Sequence, residues 1–224
     1  MNRVDGVWAV DHLVTGSNSD NAARPADTFA GQINRALAES LEEDPNVVFV
    51  GQLIRYGFAG LTTGLYEKYP KRFITTSVSE SLMNSATMGL SLAGKIPVCF
   101  HVRIDFLASG MCALVNHIPI WYRKLGRLPL VLICQVGKGN GQGAQHSKDL
   151  THWFSRFEGW ETRVPQTPKM AYDYLRESIH GDRPTMYVIH RELFDAKDGR
   201  VIPMPDRIRL CGTSKRHERE FYGE

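Results

Sequence analysis

Glu80 is the first residue whose surroundings suggest chemistry, because it follows a short apolar segment and precedes a helical pattern. A carboxylate at the carboxyl end of a strand, in a site of low dielectric, can share a proton with a ligand nitrogen. The same segment, Ser77-Val-Ser-Glu80, also fits the S-x-x-E capping box, in which the carboxylate only closes a helix N-terminus. Both interpretations of Glu80 stay open at this point.

The glycine-rich loop 137–146 is the second candidate, since its four alternate glycines let the backbone approach a ligand closely. It lacks the GxxxxGK[ST] pattern of a P-loop, and its match to a dinucleotide fingerprint follows a later strand rather than the first. His146 ends the loop, as either a hydrogen-bonded structural residue or an acid–base group. The eight histidines show no metal-binding spacing, and no GxSxG elbow occurs.

Short apolar strands alternate with amphipathic helices along most of the chain. The predicted strands are 47–50, 73–75, 96–100, 128–134, 161–164 and 185–189, and the predicted helices are 27–44, 80–93, 108–122, 150–157 and 168–180. Strands that are apolar on both faces predict an α/β fold, a mainly parallel twisted sheet with helices on both faces. The functional loops of such sheets follow the carboxyl ends of strands, here 51–60, 76–80, 101–107 and 135–147.

Composition, charge and cysteine spacing indicate which kinds of partner and which compartment to expect. The chain has 224 residues, 42% of them apolar, with 27 Lys and Arg against 24 Asp and Glu, so a nucleic-acid partner is not expected. No apolar run approaches the roughly 18 residues that span a bilayer, which predicts a protein without a membrane partner. Four cysteines lack CxxC spacing, and Cys99, Cys112 and Cys134 lie in apolar segments as predicted buried thiols. Together these features favour a cytoplasmic protein.

Three segments are expected: an irregular arm over residues 1–24, an α/β domain over 25–195 and a polar tail over 196–224.

Within the domain several short motifs occur in a fixed order. They are Gly64-Leu-Tyr-Glu-Lys-Tyr69, Arg72-Phe-Ile-Thr-Thr-Ser-Val-Ser-Glu80, Gly89-x-x-x-Ala93-Gly94-x-x-Pro97, Asn116, Gly143-Ala-Gln-His-Ser147-x-Asp149 with Trp153-Phe154, Val164-Pro-x-Thr-Pro168, and Pro184 through to Glu192-Leu193.

This order resembles the pyrimidine-binding domain of the transketolase-like thiamine diphosphate enzymes. Among them it is most similar to the beta subunit of the decarboxylating component of pyruvate and branched-chain 2-oxo acid dehydrogenases. The resemblance implies that Glu80 hydrogen-bonds the ring nitrogen of the cofactor's aminopyrimidine and so activates the cofactor. It also implies that Phe106 lies against the pyrimidine ring, with Gln52 and Ile54 as further cofactor contacts.

The resemblance also implies a substrate site. His146 aligns with the family's active-site histidine, and Gln145 beside it is expected to contact substrate. Where the family usually has a Phe-x-Thr-x-Asn stretch, this chain has His101, Arg103 and Asp105. Arg103 is predicted to bind a substrate carboxylate or phosphate, with His101 nearby; the alternative is a surface ion pair of Arg103 with Asp105.

Two family features are missing from the sequence, the GDG motif that holds diphosphate and magnesium and the carboxyl-terminal domain of the beta subunits. The resemblance therefore implies an alpha-type partner subunit that supplies the diphosphate and Mg²⁺ site, in a dimer of heterodimers. The expected reaction transfers a two-carbon or acyl unit from a 2-oxo acid or ketose to an aldehyde or ketone. Transfer to a lipoyl group, or a non-catalytic assembly role, remains an alternative.

Overall fold

The computed structural model describes residues 3–4, 7–8, 21–137 and 143–199. Much of the predicted arm and tail, Cys211 and the middle of the glycine-rich loop therefore lie outside the described residues. Near the amino terminus, Arg3–Val4 (β1) pairs antiparallel with Val7–Trp8 (β2).

A six-stranded sheet, in which every pairing is parallel, forms the centre of the fold. Its spatial order is β4-β3-β5-β6-β8-β7. The strands are β3 (Val47–Gly51), β4 (Phe73–Thr75), β5 (Ile96–His101), β6 (Leu130–Val136), β7 (Glu161–Arg163) and β8 (Pro184–His190). All residues of β5, β6 and β8 are buried, as expected for strands covered on both faces.

Helices cover the sheet on both faces, which confirms the predicted α/β class. They are α1 (Phe29–Glu43), α2 (Leu65–Lys68), α3 (Glu80–Leu92), α4 (Ile118–Leu125), α5 (Thr151–Phe154) and α6 (Pro168–Ile179). One apolar core joins α1 and α6 to one face of the sheet, and a second joins α3, α4 and α5 to the other. The sheet therefore lies between the two cores.

The predicted continuous helix over 108–122 is wrong, because the chain forms three successive segments of different helix type there. A 3₁₀ segment covers Ile104–Gly110, a π-helical turn covers Cys112–His117, and only then does α4 begin. Pro119 has no N–H to donate to the carbonyl four residues earlier, and its ring crowds that carbonyl, so the preceding turn is widened.

Within the described ranges no single helix is long and apolar enough to span a membrane. Ile104–Gly110 and Cys112–Leu125 reach that length and hydropathy only when they are taken together, and the two are bent by 67°.

The cysteines divide by burial. Cys99 and Cys134 are buried free thiols, as predicted, whereas Cys112 is exposed, so the prediction for Cys112 is wrong. The widened turn explains the difference, since it turns Cys112 outward while Ala113 and Leu114 face the core.

Candidate active site

The candidate residues meet where the strand order reverses. From β3 the chain goes to β4 on one side and then to β5 on the other, so the carboxyl ends of β3 and β5 flank a switch point of the kind at which α/β sheets bind ligands. Gly51 ends β3, and a Cβ there would lie 2.9 Å from the Phe100 carbonyl oxygen. Glycine is therefore needed for the two strands to approach each other at this edge.

Glu80 does not close a capping box. Ser79 is the N-cap of α3, and its hydroxyl accepts a hydrogen bond from the Leu82 N–H at 3.3 Å. Glu80 is consequently the first residue of the helix, whereas a capping box needs the carboxylate at the third position. The half-buried Glu80 carboxylate instead lies 3.1 Å from the Ser109 hydroxyl, across the site.

Phe106 and His146, forty residues apart in sequence, form a ring pair at this edge. Their centroids are 5.2 Å apart and the rings meet edge to face at 76°. Asp105 Oδ1 accepts a hydrogen bond from the Lys148 N–H at 3.0 Å, which ties the end of the glycine-rich loop to the segment after β5. The Ser109 hydroxyl also lies 2.9 Å from the Phe106 carbonyl oxygen. Glu80, Phe106 and His146 are thus brought into one site.

The loop after β3 approaches the same helix. Gln52 Nε2 donates to the Met83 sulfur at 3.6 Å, and Met83 lies one turn after Glu80 on α3. Leu53 adopts a left-handed conformation with φ of 58°, which turns the chain sharply between the two predicted cofactor contacts. Ile54 is completely buried in the core, so Gln52 is the more accessible member of the predicted pair.

His101 lies behind the site rather than in an open cleft. It is 1% exposed, and its Nε2 lies 2.9 Å from Asn84 Oδ1. Asn84 Nδ2 donates to the Gly110 carbonyl at 3.4 Å, so the amide oxygen faces His101 and the proton is on Nε2. Burial lowers the pKa of His101 to about 4, which keeps the ring neutral at physiological pH. In this chain His101 therefore connects the end of β5 to α3, and Asn84 connects α3 to the 3₁₀ segment.

Arg103 is also buried, being 4% exposed, so it is not the surface residue of the alternative interpretation. Its Nη1 donates to the Val102 carbonyl at 2.7 Å. A Cβ at Gly137 would lie 2.6 Å from Arg103 Nε and 2.4 Å from the His146 carbonyl oxygen. The guanidinium therefore lies close to the His146 backbone and requires glycine at position 137, whereas Gln145 is exposed beside it.

Comparison with known proteins identifies this arrangement. The family model described as the transketolase pyrimidine-binding domain matches residues 28–197. The chain belongs to the transketolase pyrimidine-binding domain family. The family and the fold class predicted from the motif order are therefore confirmed.

Individual relatives of the family are named as beta subunits. The chain is 28% identical over 177 residues to the beta subunit of acetoin:2,6-dichlorophenolindophenol oxidoreductase from Cupriavidus necator, covering 72% of this chain and 52% of that protein. It is 24% identical to the mitochondrial pyruvate dehydrogenase E1 component subunit beta of Caenorhabditis elegans, covering 81% and 52%. The chain therefore spans about half the length of these curated relatives.

A solved structure titled split gene transketolase, inactive beta4 tetramer, has the same fold, with a TM-score of 0.60 at 19% identity. The match covers 80% of this chain and 54% of that one.

Two residues of the candidate site were missed from the sequence, Ser109 and Asn84. Asn84 follows Glu80 by four residues, which places both on one face of α3, and Ser109 follows Phe106 by three in a 3₁₀ turn. Once Glu80 and Phe106 are candidates, these spacings could have identified Asn84 and Ser109 as their neighbours. No group of three His, Cys, Asp or Glu side chains suited to a metal ion occurs in the part of the chain that the structure describes.

Proposed function

We propose that this chain is the pyrimidine-binding subunit of a split, thiamine-diphosphate-dependent, transketolase-like enzyme. The observation that carries this proposal is the position of Glu80. As the first residue of α3, capped by Ser79, it is not the carboxylate of a capping box, and it accepts a hydrogen bond from Ser109, three residues after Phe106 of the Phe106–His146 pair. A half-buried carboxylate and an aromatic pair at the same edge of the sheet suit a planar, nitrogen-containing ligand.

The residues present fit the aminopyrimidine end of the cofactor. The Phe106 ring supplies an aromatic surface that packs edge to face against His146. Gln52 supplies an amide at the opposite strand end, and Ile54 supports its loop from the core. Thiamine diphosphate, when bound, supplies the carbanion chemistry on 2-oxo acids and ketoses.

The protein's own part is to position groups and move protons. Glu80 holds a proton between its carboxylate and a ring nitrogen, and the Ser109 hydroxyl orients that carboxylate. His146, with its ring fixed edge-on against Phe106, stabilises or protonates the substrate-derived group. Gln145 lies beside it as a substrate contact. Arg103, whose guanidinium lies near the His146 backbone, is the proposed contact for a substrate carboxylate or phosphate.

An alpha-type subunit completes the enzyme in this proposal. It carries the diphosphate and Mg²⁺ site, and two copies of each subunit form a dimer of heterodimers. Support comes from the relatives, which are named as beta subunits. The donor is a 2-oxo acid or a ketose, and the two-carbon or acyl unit passes to an aldehyde or ketone acceptor.

The test combines the full chain with its alpha-type partner, thiamine diphosphate and Mg²⁺, and measures consumption of pyruvate and of a ketose phosphate. We expect turnover that needs both subunits and the cofactor. If the subunits form a stable complex that binds the cofactor and consumes neither kind of donor, the chain has an assembly role and the catalytic proposal is wrong. Supplying either an aldehyde or a lipoyl protein as acceptor then distinguishes carbon–carbon bond formation from acyl transfer.

A further inference from the structure

An exposed cysteine–histidine pair lies outside the site described above. Cys112 Sγ is 3.5 Å from His117 Nε2, and Asn116 Nδ2 lies 3.8 Å from the same sulfur. All three side chains are exposed. An imidazole nitrogen and an amide donor therefore both face one accessible thiol, an arrangement in which a histidine can remove a proton from sulfur and an amide can stabilise the resulting negative charge.

The π-helical turn creates this contact. In a regular α-helix, residues five apart point in directions about 140° apart, so Cys112 and His117 would not meet. The wider turn over Cys112–His117, imposed by Pro119 at the start of α4, brings the two side chains to the same side. The pair is thus a product of the local backbone, independent of the Glu80 site.

A second cysteine–histidine pair in the same chain differs in two respects, since it is buried and its histidine carries the proton on the nitrogen that faces the sulfur. Cys99 Sγ lies 3.6 Å from His101 Nε2, nearly the same distance, but both residues are buried. Burial raises the pKa of the Cys99 thiol to about 12 and lowers the pKa of His101 to about 4. Proton transfer from thiol to imidazole is disfavoured there, and no reagent reaches the sulfur. Only the exposed pair can react.

We propose that Cys112 is a thiol-modification site that takes small disulfides of the glutathione class, with His117 as its base. His117 Nε2 accepts the thiol proton while the sulfur attacks one sulfur of the disulfide. The S–S bond of the reagent breaks, a new S–S bond to Cys112 forms, and the departing thiolate takes the proton back from His117. Cys112 is oxidised and the departing half of the reagent is reduced, so no other oxidant is needed.

The experiment treats the intact chain with glutathione disulfide at pH 7.5 and follows each cysteine separately by peptide mass mapping. We expect Cys112 to be modified while Cys99 and Cys134 stay unmodified in the folded protein. His117→Gln should slow the modification of Cys112 by about tenfold, because general-base assistance is lost. His180→Gln, which alters an exposed histidine at the end of α6, is the matched control and should leave the rate unchanged.

His117 is exposed, so its replacement should not affect folding, and a circular dichroism melt checks this. The proposal is wrong if Cys112 in wild type resists the disulfide, or if His117→Gln reacts as fast as wild type. No partner subunit or cofactor is required, so the outcome is separate from that of the proposed enzymatic function.

Discussion

The Ser109 hydroxyl lies 3.1 Å from Glu80 Oε2 and 2.9 Å from the Phe106 carbonyl oxygen, and so connects the carboxylate to the aromatic residue of the candidate site. Ser109 is exposed and packs in neither core, which makes its contribution to the site separable from its contribution to folding.

Ser109→Ala removes the hydroxyl that orients Glu80. A hydrogen bond to a charged group is worth about 1.5–3 kcal/mol, so we expect cofactor affinity or turnover of the two-subunit enzyme to fall by about 10- to 100-fold. Ser81→Ala, at an exposed position of the same helix turn, should change neither. Isothermal titration with thiamine diphosphate and a urea melt of each variant separate binding from stability. Equal affinities for Ser109→Ala and Ser81→Ala would contradict the role given to Ser109.

Gly110 is the point at which the 3₁₀ segment meets α3. A Cβ there would lie 2.2 Å from Asn84 Nδ2 and 3.1 Å from the Glu80 carbonyl oxygen. Gly110→Ala should therefore lower the free energy of unfolding by about 1–3 kcal/mol, through overpacking.

Gly89 supplies the control, since a Cβ at this position of α3 meets nothing within 4 Å. Gly89→Ala should stabilise the helix by about 0.5–1 kcal/mol, because alanine loses less conformational entropy on folding. Urea unfolding measures both variants. A Gly110→Ala protein as stable as Gly89→Ala would show that the α3 contact is loose.

His101 predicts a pH dependence of stability. The pKa of the folded ring is about 4, below its usual value of 6.5, because burial disfavours the charged form. Between pH 6.5 and 4 the unfolded chain binds more protons, so stability is fully present above pH 6.5 and falls as the pH is lowered toward 4. The loss is on the order of 3 kcal/mol.

His101→Gln should remove this part of the acid sensitivity, and His180→Gln, at an exposed position, should not. Thermal melts from pH 7 to pH 4 give the comparison. The account of His101 fails if the wild-type and His101→Gln curves keep the same slope over that interval.

Arg24 fastens the loop that carries Gln52 and Ile54. Its Nη1 donates to the Ala59 carbonyl at 2.7 Å, and its Nε lies 2.8 Å from Asp195 Oδ1. Ala59 adopts a left-handed conformation, with φ of 53°, that a non-glycine residue keeps only when its surroundings hold it. Arg24→Ala should speed hydrogen exchange over residues 54–63 by lowering the local opening free energy by roughly 2 kcal/mol.

Arg127→Ala is the control for that variant, since Arg127 Nε lies at the same 2.8 Å from Asp182 but both side chains are more than 60% exposed. Exposed ion pairs contribute about 0–1 kcal/mol, so exchange in the 54–63 loop should not change. Equal exchange in the two variants would mean that Arg24 does not hold the loop.

Much of the fold could be predicted from the sequence because its strands are short apolar runs bounded by turns, as at 47–50 and 96–100. The prediction for β6 was wrong at its end: the strand ends at Val136, two residues later than predicted, because polar Gln135 is buried in it. The sequence left open whether Glu80 closes a capping box, because Ser77 and Ser79 both fit an N-cap; in the structure Ser79 is the N-cap.

Residue types did not reveal which polar groups of the site would be buried. His101 and Arg103 follow β5 like ordinary loop residues, and their burial depends on Asn84 from α3 and on Gly137 after β6. Such contacts join segments that are far apart in sequence, so no local pattern carries them. The π-helical turn at Cys112 likewise could not be read from its apolar composition.

Glu80→Gln provides the most direct test of the central claim, that Glu80 is an active-site acid–base group rather than a helix cap. The measurement is cofactor-dependent turnover of the assembled two-subunit enzyme, with Glu67→Gln, an exposed carboxylate on α2, as the control. We predict that Glu80→Gln assembles and melts like wild type but loses activity by about 100-fold or more, while Glu67→Gln keeps it. Wild-type activity in Glu80→Gln would contradict the claim.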